Sequence, residues 1–443
     1  MKKPAKRTIL DMEATSESCP GSVTLTPEQK RAYDAMASGR SVFITGPGGC
    51  GKTLLVNHFI AKYKADIEVA VTSTTGTSAL LLMGGTTLHS WAGIGLGTGS
   101  AQAMTTKIRK KPWLRKKWQD VEVLIIDEIS MLDPDLFDKL EYIARVVRKS
   151  ADPFGGIQLV ITGDFLQLPC VKVDKFCFEA ETWNTCIDST IYLEQNMRQR
   201  EPEWQKCLAE IRLGKMSEES VALLQSRRRV KLQNDQGITP TQLFPLNADA
   251  DAVNEQELDR MANKGESFLE YKMTFSLYDK KLKWKADKFY KDSPAAETLH
   301  LCRGCQVILL WNLDIERGLE NGSRGVVVDF CQDIPVVLFL NGQRRIIDYH
   351  IWELEEDDRK LASFEQIPLR LGYAYSIHRA QGRSLDYVVT DLKDAFEYGQ
   401  AYVALSRART SAGLSIKGLR LKKIRAHPRA VEYYNSLSKS NQL

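Results

Sequence analysis

Residues 42–60 read VFITGPGGCGKTLLVNHFI, in which a short apolar run leads into a glycine-rich loop and an apolar-periodic helical segment. The loop at residues 46–53 fits the pattern GxxxxGK[ST] completely. Glycines let backbone N–H groups close around phosphate oxygens at a helix N-terminus, where the helix dipole also favours anions. We therefore expect Lys52 to reach the β- and γ-phosphates of a nucleotide and the Thr53 hydroxyl to bind Mg²⁺. The nucleotide-binding residues predicted in the loop itself are Gly46, Gly48, Gly49, Cys50 and Gly51.

The composition of the chain is that of an ordinary globular protein. Its 443 residues include 43% hydrophobic and 26% charged side chains, which excludes disordered and collagen-like classes and predicts about two to four domains. No window approaches the roughly 20 consecutive apolar residues of a membrane span, and the N-terminal stretch lacks the apolar region of a secretory signal. The net charge of +5 permits a polyanionic partner without demanding one.

The nine cysteines are scattered along the chain. One CxxC pair, Cys302 and Cys305, has no second pair and no nearby His pair to complete four zinc ligands. We therefore expect reduced thiols, an intracellular location and no structural metal.

Apolar runs of strand length alternate with helix-length segments in the first part of the chain. They occupy residues 42–45, 67–72, 121–126 and 158–162. Continuous apolar runs are typical of buried parallel strands, and their alternation with helices predicts a doubly wound α/β sheet.

The pattern changes between residues 301 and 353. Short strand candidates follow one another there, separated by Gly, Asn and Asp, with no helical period between them. This stretch predicts a small all-β insert, after which residues 370–392 and 401–409 return to the α/β pattern.

A second motif places two acids at the end of a buried strand. Four apolar residues at 123–126 lead directly into Asp127 and Glu128. Mg²⁺ prefers oxygen ligands and retains several waters, so Asp127 is expected to hold the ion directly or through water. Glu128 would orient and deprotonate the attacking water, which favours hydrolysis over simple nucleotide binding.

A third motif, TGDFLQLP at residues 162–169, is another strand that leads into a polar turn. Its Gln167 is a candidate to sense the γ-phosphate or to position water, as glutamines do in other P-loop hydrolases. Without further context an ordinary loop amide is an equally good interpretation.

Seven segments of the chain resemble motifs of superfamily 1B DNA helicases of the petite-integration-frequency (Pif) type, and they occur in the same order. The resemblance spans residues 24–415 and implies two RecA-like motor domains, ATP and Mg²⁺ as cofactors, and 5′-to-3′ movement on single-stranded DNA. It further implies unwinding of forked duplex DNA, with G-quadruplexes and RNA–DNA hybrids as additional substrates, in DNA replication, repair, recombination or telomere maintenance. The segments are GPGGCGKT, TSTTGTSALLLMGGTTLHSWAG, LIIDEISML, LEYIARVVRKSADPFGGIQLVITGDFLQLP, LEQNMRQ, LGYAYSIHRAQGRSLD and AYVALSRART, and the part between LIIDEISML and GDFLQLP resembles the Pif signature.

The resemblance also divides the chain into parts. It implies a monomer that acts inside the cell, wherever the DNA is, and that has no contact with a membrane. The predicted parts are a flexible basic tail (1–22), a first RecA-like domain (23–190) with a wedge-like insertion (88–119), a second RecA-like domain (191–298 and 366–443) and a small β-barrel insert (299–365).

Several roles in the ATP site come from the resemblance alone. Gln29 matches the glutamine that reads the adenine edge, and Arg198 and Arg407 match two arginines that reach the γ-phosphate from the second motor domain. A fixed guanidinium can neutralise charge on the transferred phosphoryl group only when the domains close. Gln381 and Gly382 match the motif that couples this cleft to DNA.

The predicted DNA contacts are polar groups that position phosphates without reading bases. Residues 107–118, KIRKKPWLRKKW, combine seven basic side chains with two tryptophans, which favours a nucleic-acid contact over a merely solvated face. For Trp91, base stacking and a core position are equally good interpretations. The predicted DNA-binding residues are Thr74, Thr75, Thr87, His89, Ser90, Lys110, Lys111, Lys116, His378 and Arg379.

Three rival functions remain open at this point. The chain can be a DNA-stimulated translocase that displaces proteins but unwinds little. It can be a P-loop phosphotransferase whose ATP turnover is indifferent to DNA. It can also be a structural DNA binder with vestigial ATP binding.

Overall fold

The computed structural model describes residues 25–440 apart from positions 80, 96, 171–172, 233–237, 279–282, 292, 312, 315–316, 318, 320 and 357–358. The predicted tail at residues 1–22 lies outside these residues. None of the described helices combines the length and the apolar character needed to cross a bilayer.

Strands and helices are numbered along the chain. The strands are β1 (Val42–Thr45), β2 (Val69–Ser73), β3 (Thr86–Thr87), β4 (Val123–Asp127), β5 (Gln158–Gly163), β6 (Ser189–Tyr192), β7 (Thr241–Phe244), β8 (Leu269–Lys272), β9 (Thr274–Leu277), β10 (Thr298–Leu301), β11 (Gln306–Leu309), β12 (Arg324–Cys331), β13 (Ile334–Phe339), β14 (Arg344–Ile346), β15 (His350–Glu356), β16 (Arg359–Gln366), β17 (Leu369–Leu371), β18 (Ala374–Ser376), β19 (Val388–Asp391) and β20 (Leu414–Gly418). The helices are α1 (Pro27–Ala37), α2 (Lys52–Tyr63), α3 (Gly76–Ala79), α4 (Leu88–Ala92), α5 (Ala101–Lys110), α6 (Pro112–Asp120), α7 (Pro134–Arg148), α8 (Trp183–Cys186), α9 (Pro202–Leu213), α10 (Glu218–Ser226), α11 (Asn247–Ala262), α12 (Lys283–Lys291), α13 (Gln400–Leu405) and α14 (Pro428–Ser440).

Six parallel strands form the first sheet, in the order β3-β2-β4-β5-β1-β6. Strands β1, β2 and β4 are buried along their whole length, as expected for apolar strands with helices on both faces. Because β4, β5 and β1 are neighbours and run in one direction, the segments that follow them meet at one edge of the sheet. The predicted doubly wound sheet is confirmed for this part of the chain.

Helices α4, α5 and α6 occupy the predicted wedge-like insertion at residues 88–119, and α5 and α6 pack against α7. Ile108 and Trp118 are fully buried in the core of the first sheet, and the Trp118 ring lies 4.7 Å from the ring of Trp91, which is 4% exposed. Trp91 is therefore a core residue and not a base-stacking one. Trp118 likewise cannot stack on bases, which corrects the expectation of a DNA contact for this tryptophan, whereas Trp113 is only half-buried.

Four parallel strands form the second sheet, in the order β18-β7-β19-β20. Helices α9 and α13 pack against each other in its core, and α11 packs on β18 and β7. Strands β18, β19 and β20 follow the β-rich part in the chain and have the α/β pattern that the sequence predicted there. The edge strands of this sheet are β18 and β20.

Two segments pack with a different sheet from the one that the predicted boundaries assigned to them. Strand β6 spans the boundary at residue 190 and pairs with β1 in the first sheet. Helix α14 belongs to the predicted second domain by sequence, yet Ala430 and Tyr434 are buried in the core of the first sheet. The sequence could not show this because an amphipathic helix does not reveal which apolar surface it will cover.

The β-rich part consists of antiparallel sheets in the orders β14-β13-β12-β11-β17, β15-β16-β9 and β10-β8. These sheets extend beyond the predicted insert at residues 299–365, because β8 and β9 precede it and β17 follows it. Phe275 on β9 lies opposite Phe364 on β16, and Leu371 on β17 lies opposite Val307 on β11. Cross-strand pairing of residues far apart in the chain therefore sets the true extent of this part.

Candidate active site

The three sequence motifs meet at the carboxyl edge of the first sheet. The glycine-rich loop follows β1, Asp127 ends β4, and the TGDFLQLP turn follows β5, so neighbouring strands present all three. Lys52 is the first residue of α2, and its Nζ donates to Gly46 O at 2.8 Å and to Pro47 O at 3.1 Å. The ammonium group thus lies over the loop that the sequence assigned to phosphates.

Gln29 holds the glycine-rich loop from behind. Its Nε2 donates to Cys50 O at 3.1 Å, and its Oε1 accepts from the Thr26 N–H at 3.0 Å, which completes the capping box of α1. A Cβ on Gly51, whose φ is +84°, would lie 2.6 Å from Gln29 Nε2, so only glycine fits there. Both ends of the amide are thus engaged within the protein, and the adenine-reading role stays a prediction.

The two acids at the end of β4 have different surroundings. Asp127 Oδ1 accepts from the Thr162 hydroxyl and, at 2.9 Å, from the Glu128 N–H. Glu128 has φ +56°, a left-handed conformation that costs about 1–2 kcal/mol for a residue with a Cβ. Burial, followed by the negative charge of Asp127, raises the pKa of Glu128 to about 7. A carboxyl group with that pKa is suited to accept a proton near neutral pH.

Gln381 of the second domain contacts the acid of the first. Its Nε2 donates to Glu128 Oε2 at 3.0 Å. The neighbouring Gly382 carbonyl accepts from Arg198 Nη2 at 3.2 Å. The HRAQGRS segment therefore touches both the predicted general base and one of the predicted arginines.

Arg198 and Arg407 both lie at the glycine-rich loop. A Cβ built on Gly48 would lie 3.3 Å from Arg407 Nη2 and 3.8 Å from Arg198 Nη1. Arg407 is 1% exposed, and its Nε donates to Val403 O at 2.8 Å, which fixes the guanidinium. Burial and the nearby Arg198 charge lower the pKa of Arg407 to about 9. Two cations at such close range are stabilised by an anion between them, which is what a nucleotide phosphate provides.

Tyr402 is a site residue that the sequence did not predict. Its hydroxyl accepts from the Gly48 N–H at 2.9 Å, and the side chain is 2% exposed. It lies on α13, just before Arg407, so one short segment of the second domain supplies two contacts to the loop. The surrounding residues AYVAL look like an ordinary core helix. Only the packing of the two domains shows that the phenol reaches an amide of the glycine-rich loop.

A buried ion pair joins the turn after β5 to α9. Arg212 donates through Nη2 to Asp164 Oδ1 at 2.8 Å and through Nε to Asp164 Oδ2 at 3.0 Å. Burial alone would raise the pKa of Asp164, but the Arg212 charge holds it below its usual range. Gln167 Nε2 donates to Asp164 Oδ2 at 3.3 Å, so the predicted γ-phosphate sensor is oriented by this pair. Arg212 was not predicted, because its partner lies 48 residues away in the chain.

Tyr434 of α14 connects the same turn to β1. Its hydroxyl lies 2.6 Å from the Thr45 hydroxyl and accepts from the Phe165 N–H at 3.1 Å. The Arg212 guanidinium lies 4.8 Å from the centre of the Tyr434 ring. The C-terminal helix therefore braces the strand that enters the glycine-rich loop, a role for which the sequence carries no signal.

The donor atoms at this edge fit Mg²⁺ bound mainly through a nucleotide. Thr53 and Asp127 offer a hydroxyl and a carboxylate, the hard oxygen ligands that this ion takes. Across the described ranges, no cluster of three or more His, Cys, Asp or Glu side chains could hold a metal by itself. Phosphate oxygens and water would have to complete the coordination.

The predicted DNA contacts are spread over both domains. Thr74 donates to Glu128 O at 2.9 Å, so it is adjacent to the predicted general base. The Thr75 hydroxyl lies within hydrogen-bonding distance of Ser78, and Thr87 caps α4 by accepting from the Ser90 N–H at 3.3 Å. The hydroxyls of Thr74, Thr75 and Thr87 thus also form hydrogen bonds within the protein.

The remaining predicted DNA contacts are more accessible. Lys110 and Lys116 are exposed, and Lys111 Nζ lies 5.9 Å from the centre of the Trp113 ring. His89 and Ser90 lie on α4, half-buried and exposed respectively. His378 and Arg379, which follow β18, are half-buried beside acids: His378 Nε2 is 3.4 Å from Glu397 and Arg379 Nη1 is 3.1 Å from Asp251. DNA phosphates would have to compete with these carboxylates.

Comparison with known proteins agrees with this arrangement. The family model described as PIF1-like helicase matches residues 24–221, and the model of the DNA helicase Pif1 2B domain matches residues 291–330. The ATP-dependent DNA helicase PIF1 of Xenopus laevis is 37% identical over 448 residues, an alignment that covers 100% of this chain and 68% of that protein.

Solved structures give the same result at the level of the fold. The Pif1 helicase of Candida albicans has a TM-score of 0.78 and 33% identity, with 94% of this chain and 100% of that chain covered. The Bacteroides Pif1 helicase in complex with ADP-AlF3 and single-stranded DNA has a TM-score of 0.69 and 26% identity, with 95% and 98% covered. The chain belongs to the PIF1-like helicase family.

Proposed function

We propose that the chain is an ATP-dependent DNA helicase that moves 5′ to 3′ on single-stranded DNA and unwinds forked duplex DNA. The observation that carries this proposal is the composite ATP site, in which Arg198, Arg407 and Gln381 of the second domain lie against the glycine-rich loop and Glu128 of the first. A site divided in this way forms and opens as the domains move, so ATP turnover can be converted into movement.

The chemistry can be assigned to residues of this chain. Glu128 would accept a proton from the attacking water, with its carboxylate oriented by Gln381. Arg198 and Arg407 would neutralise charge that develops on the γ-phosphate. Mg²⁺, held by Thr53 and Asp127, would supply charge neutralisation at the β- and γ-phosphates. Gln167, whose Nε2 donates to Asp164, would sense the γ-phosphate.

Coupling to DNA would run through segments that touch both ligands. Thr74 donates to the Glu128 carbonyl, and Gln381 donates to the Glu128 carboxylate. The segments that carry them, TSTTGTS and HRAQGRS, also carry Thr75 and His378, which are predicted at the DNA. A strand bound by these segments would therefore shift the position of the Glu128 carboxylate, which would make ATP hydrolysis depend on DNA. G-quadruplexes, RNA–DNA hybrids and a monomeric state belong to the same proposal.

The test combines two assays on one protein. ATP hydrolysis is measured with and without single-stranded DNA, and strand separation is measured on forked duplexes with a 5′ or a 3′ single-stranded arm. We expect DNA to stimulate hydrolysis and the 5′ arm to support unwinding. Glu128→Gln should lower kcat by about 10²–10⁴-fold, the usual contribution of a general base.

Each rival function gives a different result in these assays. Hydrolysis that is indifferent to DNA would contradict the proposal and favour a phosphotransferase. DNA-stimulated hydrolysis without strand separation would favour a translocase. Strand separation that persists in Glu128→Gln would show that unwinding does not depend on ATP chemistry at this site.

A further inference from the structure

Two stretches of the second motor domain contain basic residues and no acids. Residues 225–232 read QSRRRVKL, with four basic side chains, and residues 411–426 read SAGLSIKGLRLKKIRA, with five. Nearly 180 residues separate them in the chain. Each stretch by itself has a lower density of basic residues than residues 107–118.

The fold brings these two stretches together. The Ile416 N–H donates to Arg227 O at 2.9 Å, and the Arg229 N–H donates to Ile416 O at 3.0 Å. Residues 227–229 thus run beside β20, the edge strand of the second sheet. We call the exposed cations of residues 228–231 and 417–422 the basic ridge; they are Arg228, Arg229, Lys231, Lys417, Arg420 and Lys422.

The ridge borders a cavity of about 520 Å³. Arg229, Lys231 and Lys417 line it, and Asp391 is the one acid among its described lining residues. Arg229 has φ +51°, a strained conformation for a residue with a Cβ. Its Nε donates to the Lys417 backbone carbonyl at 3.4 Å, which keeps these two cations close together.

The cations of the ridge have no ion-pair partner among the described residues. In the part of the chain that the structure describes, none of its six side chains is within ion-pair distance of a carboxylate, whereas cations elsewhere do have acidic neighbours, as in Lys30–Asp34 and Arg303–Asp329. Like charges held together repel one another, and a row of phosphates relieves that repulsion while releasing counterions.

The ridge lies apart from the two predicted single-strand contacts of the second domain. His378 and Arg379 follow β18, at the opposite edge of the second sheet from β20. Neighbouring strands are about 4.8 Å apart, so the two edges are separated by roughly 14 Å. A nucleic-acid segment at the ridge would therefore be a second contact.

We infer that the basic ridge binds the phosphate backbone of nucleic acid outside the single-stranded path of the motor, without reading sequence. A forked or longer DNA would reach both the path and the ridge, whereas a short single strand would occupy only the path. The inference rests on the proposed function in one respect, which is that nucleic acid is the polyanion.

The test compares two triple variants in the absence of ATP. The ridge variant is Arg228→Gln, Lys231→Gln and Lys422→Gln, and the control variant is Arg31→Gln, Lys149→Gln and Lys264→Gln, which removes three exposed cations elsewhere. Fluorescence anisotropy measures affinity for a forked duplex and for a short single strand over a range of salt concentrations, and thermal unfolding confirms that both variants are folded.

We expect the ridge variant to reduce the magnitude of the slope of log K against log salt for the forked duplex by up to about 3. Each phosphate that is no longer neutralised makes this slope shallower by nearly one. Its binding of the short strand, and ATP hydrolysis stimulated by that strand, should match the wild type. The control variant should leave both slopes unchanged.

Two results would overturn the inference while leaving the proposed function intact. One is an unchanged slope for the forked duplex. The other is an equal reduction on the short strand, which would make the ridge part of the motor path. If the wild-type protein bound no DNA at all, the inference and the proposed function would both fail.

Discussion

The two halves of the ATP site are built in different ways. The half from the first domain consists of contiguous motifs at the ends of neighbouring parallel strands, so Lys52 and Glu128 are placed by the sheet itself. The half from the second domain consists of Arg198, Tyr402 and Arg407, which reach the glycine-rich loop only when the domains are packed together. The first half can bind a nucleotide, but only the second makes hydrolysis depend on domain position.

Removal of the buried arginine is expected to have the largest effect on ATP hydrolysis. Arg407→Ala is expected to lower kcat for ATP hydrolysis by about 10³–10⁵-fold, because an arginine that neutralises transition-state charge contributes that much. Binding of a fluorescent ATP analogue should change much less, since the first half keeps its contacts. Steady-state hydrolysis and analogue titration measure the two effects.

A matched control lies two residues away. Arg409 is exposed and is 3.5 Å from Asp386, so Arg409→Ala should leave hydrolysis within about threefold of the wild type. If Arg407→Ala reduced analogue binding as strongly as kcat, the assignment of nucleotide binding to the first half and of hydrolysis control to the second would be wrong.

The buried ion pair between the domains tests whether the two halves are structurally joined. Arg212→Met leaves the Asp164 carboxylate buried without its partner, which is expected to lower the free energy of unfolding by about 3–5 kcal/mol. Urea unfolding followed by tryptophan fluorescence measures the change. The double variant Asp164→Asn with Arg212→Met should recover part of that stability, because no unpaired charge remains.

An unchanged free energy of unfolding would contradict the stabilising role of the Arg212–Asp164 ion pair. If Arg212→Met were as stable as the wild type, Asp164 would have to be compensated by another group. Lys206→Met is a suitable control, since Lys206 is exposed and its acidic neighbours, Glu210 and Glu219, lie at the surface.

The pH dependence of ATP hydrolysis tests the role of Glu128 in the first half of the site. The pKa of Glu128 is raised to about 7, and a general base is active only when deprotonated. The kcat/KM for ATP should therefore rise with pH through about 7 and level off above it. The hydrogen bond from Gln381 lowers this pKa, so Gln381→Ala should move the rise to higher pH.

The pH profile is measured with saturating single-stranded DNA so that DNA binding does not limit the rate. Asn196→Ala is a useful comparison, because Asn196 contacts the glycine-rich loop but not Glu128. A flat profile between pH 6 and pH 8 would mean that Glu128 does not act as the base; these pH limits span about one unit on each side of the expected pKa.

The smallest expected effect concerns Tyr402. Tyr402→Phe removes only the hydroxyl that accepts from the Gly48 N–H, and one such hydrogen bond is worth about 0.5–1.5 kcal/mol. We expect kcat to fall by about 2–10-fold, because α13 loses its fixed position against the loop. The KM for ATP should not rise, since the freed amide can donate to phosphate.

Tyr290→Phe provides the control for this change, because its hydroxyl donates to Ser276 O in the β-rich part, far from the ATP site along the chain. An unchanged kcat in Tyr402→Phe would show that the contact is not needed to position Arg407. A tenfold higher KM would instead make Tyr402 part of nucleotide binding.

The amino-acid sequence by itself determined the first half of the site. The glycine-rich loop, Asp127 and Gln167 could be predicted because their backbone geometry and strand ends are set by residues next to them. The family resemblance pointed to Arg198, Arg407 and Gln381, and the parallel sheet was predicted from its apolar runs.

The tertiary structure alone decided which surfaces meet. Trp91 and Trp118 are core residues because the helices after β3 pack on α7. Arg212 and Tyr402 reach the site only across domain contacts, and Tyr434 reaches it because α14 packs on the first sheet. The basic ridge likewise forms from stretches that are remote in the chain. Hydrogen bonds and charges act over a few ångströms in space, and a sequence specifies such proximity only through the fold it adopts.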